Sequence, residues 1–258
     1  MIKLSFVIPT LNEEDNIREC IETSSDIAGE VIVVDMGSWD KTREIAKMMG
    51  ARVFEEKYEK KKIKAIQDNV NFGIEKCKNE WIMRMDADER LTDDFKKELI
   101  EKIEKEGDKK SAFLILRKQW FINGFLKGGD WAKSKIVRVF KKGKARYDLK
   151  VNVHEKFVVD GEVGEIKTPF LHYSHMNLAS VIRRFNEYTD SEGIDKSKNH
   201  FLLFDMMVRP FYVFTRTMTI KGEWKDGTRG VVAGLLWAFY QFISYAKAWE
   251  VKNKIGKR

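Results

Sequence analysis

Leu4-Ser5-Phe6-Val7-Ile8-Pro9-Thr10-Leu11-Asn12-Glu13 sets the architecture. Leu4 to Ile8 is a short apolar run of the kind found in a strand buried on both faces. Thr10-x-x-Glu13 then has the spacing of a capping box, predicting a helix that carries Ile17, Cys20 and Ile21 on one side. The same alternation continues. Val31 to Val34 reads as the second strand, Ile45, Met48 and Met49 as the inner face of a second helix, and Gly50 as its stop. Arg52 to Phe54 is a third strand. Ile63, Ile66, Val70, Ile74 and Cys77 mark a third helix. Trp81 to Met85 is another strand, and Thr92 caps a helix with Phe95, Leu99 and Ile103. Strands alternating with helices predict an α/β fold with a mostly parallel central sheet and helices on both faces.

The second half has strand-like runs at Ala112–Leu116 and Ile136–Phe140, and a helical run from Leu178 to Tyr188. Its last sixty or so residues are apolar and aromatic, interrupted by Lys221-Gly-Glu-Trp-Lys-Asp-Gly227. There is no repeat and no low-complexity linker, which predicts one core with a C-terminal extension. The expected division is 1–110, 111–200 and 201–258. Within the extension, Gly230 to Ala246 is seventeen residues without a charge. That is shorter than the roughly twenty residues a span needs. Its aromatics suit a membrane interface, and the alternative is a buried helix closing the core.

With 258 residues, 43% hydrophobic and 34% charged, the chain is a folded protein rather than a disordered one. Cys20 and Cys77 are too few for a disulfide framework and predict a reducing, cytoplasmic setting. The net charge of +8 is concentrated between Lys127 and Lys150, with a second lysine cluster at Lys57–Lys64. Such a balance points to nucleic acid, an anionic membrane or a phosphorylated substrate. The first strand turn, Pro9-Thr10-Leu11-Asn12, has neither a G-x-G-x-x-G run nor a P-loop lysine, so dinucleotide and Walker-type ATP binding are excluded.

Ligands of open parallel sheets bind beyond the carboxyl ends of the strands. Two strands here end in acid: Val31–Val34 in Asp35, and Trp81–Met85 in Asp86-Ala87-Asp88-Glu89. Two carboxylates on one cavity repel unless a cation lies between them, and Mg²⁺ or Mn²⁺ uses such carboxylates together with substrate phosphates. A solvated acidic turn capping the next helix is the alternative. Ser38 and Asp40 read first as caps of the helix after them.

In combination, Ser5–Glu14 (S-F-V-I-P-T-L-N-E-E), Val33–Thr42 (V-V-D-M-G-S-W-D-K-T), Asn71-Phe72-Gly73 and Met85–Glu89 (M-D-A-D-E) resemble the family-two glycosyltransferases, which have the GT-A fold. Later motifs are similar to the lipopolysaccharide-core β-glucosyltransferase branch: G-G-D-W at Gly128, R-V-F at Arg138, V-H-E at Val153, L-H-Y-S-H at Leu171 and the Lys221–Gly227 run. The resemblance implies an inverting transfer of a hexose from a nucleotide sugar, usually a UDP-sugar, to a hydroxyl of a saccharide or lipid-linked acceptor. It implies that Pro9, Thr10 and Glu13 line the donor and that Asp35 accepts from the base. Lys64 would reach a phosphate, Asn71 would pack or bond near the donor, and Asp86 would face the ribose or sugar. Asp88 would ligate Mg²⁺ or Mn²⁺, with Asp86, His172 or His154 beside it. Glu155, and after it Asp130, would be the general base. Trp131, Lys133 and Arg138 would lie on the acceptor side. The basic tail would favour peripheral contact with the cytosolic face of a membrane. A sugar nucleotidyltransferase, a non-catalytic nucleotide-binding protein and a basic nucleic-acid-binding module are the competing readings. The acidic first turn opposes the nucleotidyltransferase, and no nucleic-acid-binding motif supports the last, so no nucleic acid is expected.

Overall fold

The computed structural model describes residues 3–56, 65–133, 135–148, 157–175, 177–198 and 203–255. Two compact units make up the chain, one of Met1–Arg117 and Lys135–His172, the other of Lys118–Ser134 and Tyr173–Arg258.

The first unit opens with β1 (Leu4–Thr10), α1 (Ile17–Ser24), β2 (Ala28–Asp35), α2 (Thr42–Met48), β3 (Arg52–Glu55), α3 (Ala65–Lys76) and β4 (Trp81–Arg84). β5 (Glu89–Arg90), α4 (Asp93–Glu106) and β6 (Lys110–Phe121) follow. β7 (Gly124–Phe125), which belongs to the second unit, comes next in the chain, then β8 (Lys135–Lys141), β9 (Ala145–Tyr147), β10 (Phe157–Val159) and β11 (Glu162–His175). The sheet order is β3-β2-β1-β4-β8-β6-β11-β5, with β7 on β6 and a separate β9–β10 pair. The sheet is mixed. β1, β2, β3 and β4 are parallel, and the strands beyond β4 join antiparallel where their pairing is described.

The period-two rule accounts for the two-sided core. Leu4, Phe6 and Ile8 of β1, Val31 and Val33 of β2, and Trp81 and Met83 of β4 form one cluster with Ile17, Cys20 and Ile21 of α1, Ala46 of α2, and Phe95, Leu99 and Ile103 of α4. Val7, Ile32, Val34 and Ile82 turn the other way, onto Val70, Ile74 and Cys77 around α3. Gly73 lets α3 lie against β1 and β2, since a Cβ there would stand 2.6 Å from Val7. Thr92 caps α4 as expected, accepting from the Phe95 amide at 3.2 Å. Gly50 ends α2 with φ +81. Met48 does not join the inner face. It is exposed, while Thr42 and Ala46 are buried and Ile45 and Met49 are partly so.

The capping box does not form. β1 runs on through Thr10, the helix starts at Ile17, and its N-cap is Asn16 without a side-chain bond. The Thr10 hydroxyl instead donates to Asp35. A buried tertiary acceptor has displaced the local one.

The second unit holds α5 (Leu178–Ser197), α6 (Leu203–Thr219), a 3₁₀ turn at Glu223–Asp226 and α7 (Gly227–Ile255). α5 and α6 both pack on α7. Its core is aromatic: Phe121, Trp131, Phe185, Trp237 and Tyr240 cluster with Leu126, Val181 and Ala233. Trp237 stacks on Tyr240 with centroids 4.9 Å apart. Part of the uncharged Gly230–Ala246 run thus closes this core. Among the described residues, no helix is long and apolar enough to cross a membrane.

Candidate active site

Two loops follow β1 and β2, and side chains bind them to each other. The Asn12 amide donates to Ser38 Oγ (2.8 Å), and the Trp39 amide to Asn12 Oδ1 (3.0 Å). The Glu14 amide donates to Asp40 Oδ2 (3.1 Å), the Lys41 amide to Glu14 Oε2 (3.0 Å) and the Glu13 amide to Thr42 Oγ1 (2.7 Å). Asn12 takes the left-handed conformation (φ 56) that this mutual clasp demands, a conformation asparagine tolerates better than most residues. Asp35 lies fully buried beneath the loops. Its Oδ1 accepts from the Gly37 and Ser38 amides, and its Oδ2 from the Ser38 and Thr10 hydroxyls. Pro9 and Thr10 are buried in register with Val34 and Asp35. Glu13 is half-buried and accepts from Asn16 Nδ2 at 2.8 Å. Ser38 and Asp40 therefore join the loops; Asp40 also accepts from the Thr42 amide at 3.0 Å at the start of α2, whereas the Ser38 hydroxyl goes to Asp35 instead of capping that helix.

Asn71 has a packing role. Its side-chain amide pairs with both backbone groups of Tyr147, at 3.1 and 3.0 Å, tying α3 to β9. Lys64, His154 and Glu155 lie outside the described residues, as does His200.

The Asp-x-Asp turn follows β4. β5 pairs antiparallel with β11, setting His172 opposite Glu89. That pairing puts His172 Nε2 3.3 Å from Asp88 Oδ1. One ligand atom each from Asp86, Asp88 and His172 lie within 4.8 Å of one another. Asp86 and Asp88 are half-buried and the histidine is buried. Two carboxylates and an imidazole converging at this distance form a donor set suited to a divalent transition ion; an all-oxygen set would suit Mg²⁺ better.

The expected repulsion between the two aspartates is relieved within the protein. Arg84 forks onto Asp86 at 2.7 and 2.9 Å, and Arg138 reaches Asp86 Oδ2 at 2.6 Å and Glu89 Oε1 at 3.2 Å. Glu89 Oε2 accepts the Asp86 amide at 2.9 Å. Burial pushes the Glu89 carboxyl well above its ordinary range; the Asp86 charge adds to this, and Arg84 and Arg117 oppose it. Arg138 is thus a buried cation beneath the turn, paired with Asp86 and Glu89. The reading of the sequence gives Arg84 and Glu89 no role and assigns Arg138 to the acceptor rather than to these carboxylates. The available signal was Arg84 itself, an arginine in the strand run Trp81-Ile82-Met83-Arg84-Met85, where a lone charge needs a partner.

In the second unit, Asp130 is ion-paired to Arg216 and, at 3.3 Å, to Lys221. Trp131 belongs to the aromatic core, against Phe121, Phe185 and Trp237.

A parallel half-sheet with acid-tipped strands, flanked by helices on both faces and continued by antiparallel strands, defines a GT-A glycosyltransferase. The sequence model of Glycosyl transferase family 2 matches residues 5–161, more than half of the chain, and the chain belongs to that family. The lipopolysaccharide core biosynthesis glycosyltransferase LpsC of Rhizobium meliloti (strain 1021) is 27% identical over 253 residues, covering 96% of this chain and 93% of that protein. The crystal structure of S. aureus TarS 1-349 in complex with UDP-GlcNAc shares the fold at TM-score 0.52 and 12% identity, over 99% of this chain and 92% of that one. Glucosyl-3-phosphoglycerate synthase from Mycobacterium tuberculosis, solved with phosphoglyceric acid, overlaps 48% of this chain at TM-score 0.36 and 22% identity, and the chain spans 45% of its length.

Proposed function

We propose that this family-two glycosyltransferase is an inverting, metal-dependent hexosyltransferase. It moves a sugar from a UDP-sugar to a hydroxyl of a saccharide or lipid-linked acceptor, in surface-glycan synthesis of the lipopolysaccharide-core kind. The observation that carries the reading is the convergence of Asp86, Asp88 and His172 beyond β4. The resemblance to LpsC, which is named for lipopolysaccharide core biosynthesis, supports the acceptor class.

In this reading residues 1–110 hold the donor, 111–200 serve the acceptor and catalysis, and 201–258 form the helical extension. Asp88 and His172 hold the ion. Asp86, already neutralised by Arg84 and Arg138, faces the ribose or sugar. A bound Mn²⁺ or Mg²⁺ would stabilise the charge that grows on the leaving diphosphate. Pro9, Thr10, Glu13 and the clasped loops form the wall for the nucleoside, with Asp35 as the acid aimed at the base and Asn71 bracing α3. Lys64 is assigned to the phosphates, and His154 is a second candidate ligand. Glu155 deprotonates the acceptor hydroxyl on the face opposite the leaving group. Asp130, the second candidate, is engaged by two cations and is better suited to anchoring.

The test is UDP release from a panel of nucleotide sugars with Mn²⁺, Mg²⁺ or EDTA, beside Asp88→Ala. We expect release from one donor, lost in EDTA and reduced roughly 100-fold or more in the variant. Undiminished release in EDTA, or full activity in the variant, would refute the metal-dependent reading. Retention of plain oligonucleotides in place of nucleotide sugars would favour the nucleic-acid alternative.

A further inference from the structure

The sequence directs attention to Gly230–Ala246 for membrane contact. The structure directs it to α6, whose apolar face is turned outward. Phe204, Met207, Val208, Phe211 and Tyr212 are all exposed, Met207 and Phe211 each by 70%. At 100° per residue these five positions, with Thr215 and Thr219, occupy an uncharged arc of about 140°. Asp205 and Arg209 lie at its rim and pair with each other at 3.2 Å. Just beyond the helix, Ile220 and Trp224 are exposed as well.

The charges around this face are sorted. Of the Lys221–Gly227 run, both acids turn inward: Glu223 is buried, and the Asp226 side chain is fully buried, accepting from the Lys127 and Gly128 amides. Trp224 and Lys225 remain outside, the lysine Nζ 5.8 Å from the tryptophan ring centroid. Residues 203–255 contain eight Lys or Arg against four Asp or Glu, and two of those four are these inward acids. Phe, Met, Tyr and Trp beside outward cations are the composition of a segment lying in a bilayer interface. A second copy of the chain would bring more cations to the same rim, whereas an anionic headgroup layer would neutralise them.

We infer that the outer face of α6, together with Trp224 and Lys225, docks on an anionic lipid bilayer surface, the helix lying in the plane of the interface. This goes beyond the transferase reading and does not rest on it. The test is co-sedimentation of the full chain with large vesicles of phosphatidylcholine alone or with one quarter phosphatidylglycerol. Wild type should bind the anionic vesicles and release them in high salt. Phe204→Ser/Phe211→Ser should bind roughly tenfold or more weakly, and Lys225→Glu should weaken binding less. All three side chains face solvent, so melting temperature and donor hydrolysis should stay as in wild type. Three results would overturn the inference: no binding by wild type, equal binding by the double variant, or a dimer seen by light scattering that the double variant dissolves without any vesicle binding.

Discussion

Glu223→Gln probes the electrostatics of the second unit most directly. Glu223 is 3% exposed and sits among glycines. A Cβ on Gly129 would stand 2.5 Å from its Oε1, and one on Gly234 3.0 Å from its Oε2. Among the described residues, Oε2 has no hydrogen-bond partner. The nearby cations are directed elsewhere, Arg216 and Lys221 to Asp130 and Arg229 to Asp226. Burial therefore pushes the carboxyl from 4.5 up to about 7; the Asp130 and Asp226 charges add to this, and a Thr217 hydrogen bond opposes it. Between those two values the folded chain keeps a proton that the unfolded chain has released. Stability then falls as pH rises through this window and is lowest above it. At about 1.36 kcal/mol per pH unit, the whole span amounts to about 3 kcal/mol at most.

Glutamine has the same shape and never ionises. The variant should exceed wild type by only about 1 kcal/mol near pH 5 and by up to about 3 kcal/mol near pH 8. That is roughly 6 °C in melting temperature, at about 2 °C per kcal/mol for a chain of this size. Calorimetric melting of both proteins at several pH values between 5 and 8 measures it. Every other titrating group contributes to both curves, so the difference isolates Glu223. Parallel curves, or a variant less stable at pH 8, would refute the argument and mean that the carboxylate finds compensation inside the glycine cradle.

Two further substitutions test the first unit. Arg138→Met leaves Asp86 and the buried Glu89 with one cation fewer and should cost about 3–5 kcal/mol in urea unfolding; a loss under about 1 kcal/mol would show that Arg84 and Arg117 suffice. Thr92→Ala removes the acceptor of the Phe95 amide and should cost about 1 kcal/mol by the same assay, with no change in UDP release; an unchanged midpoint would show that water serves the amide equally well.

What could be read from the sequence was whatever depends on neighbours in the chain. The apolar runs of β1, β2 and β4 announce themselves because both faces of each strand are buried, and the acids at their ends mark the edge where a ligand meets the sheet. Asp86 and Asp88 could be named from their place at a strand end, whereas their metal role and His172 beside them came from the resemblance to the family-two glycosyltransferases. What could not be read depends on partners far along the chain. Thr10 has the spacing of a cap, yet its hydroxyl goes to Asp35, twenty-five residues away. Arg138 lies in a basic stretch, which points outward by composition, yet β8 pairs with β4 and carries it beneath the carboxylates.

The aromatic C-terminal half shows the limit most sharply. The Gly230–Ala246 run and α6 are both rich in apolar and aromatic residues, and hydrophobicity alone does not separate a face that closes a core from one that meets a surface. The difference comes from packing. α7 is held between α5 and α6, so Tyr240 and Tyr245 are buried; α6 touches α7 along one side and leaves Phe204, Met207 and Phe211 outside. Charge distinguishes them a second time, because both acids of the connecting run fold inward while Lys225 stays outside. An apolar helix face beside a turn whose two acids are buried and whose Lys225 is outside is costly to leave in water, and an anionic interface relieves both terms at once.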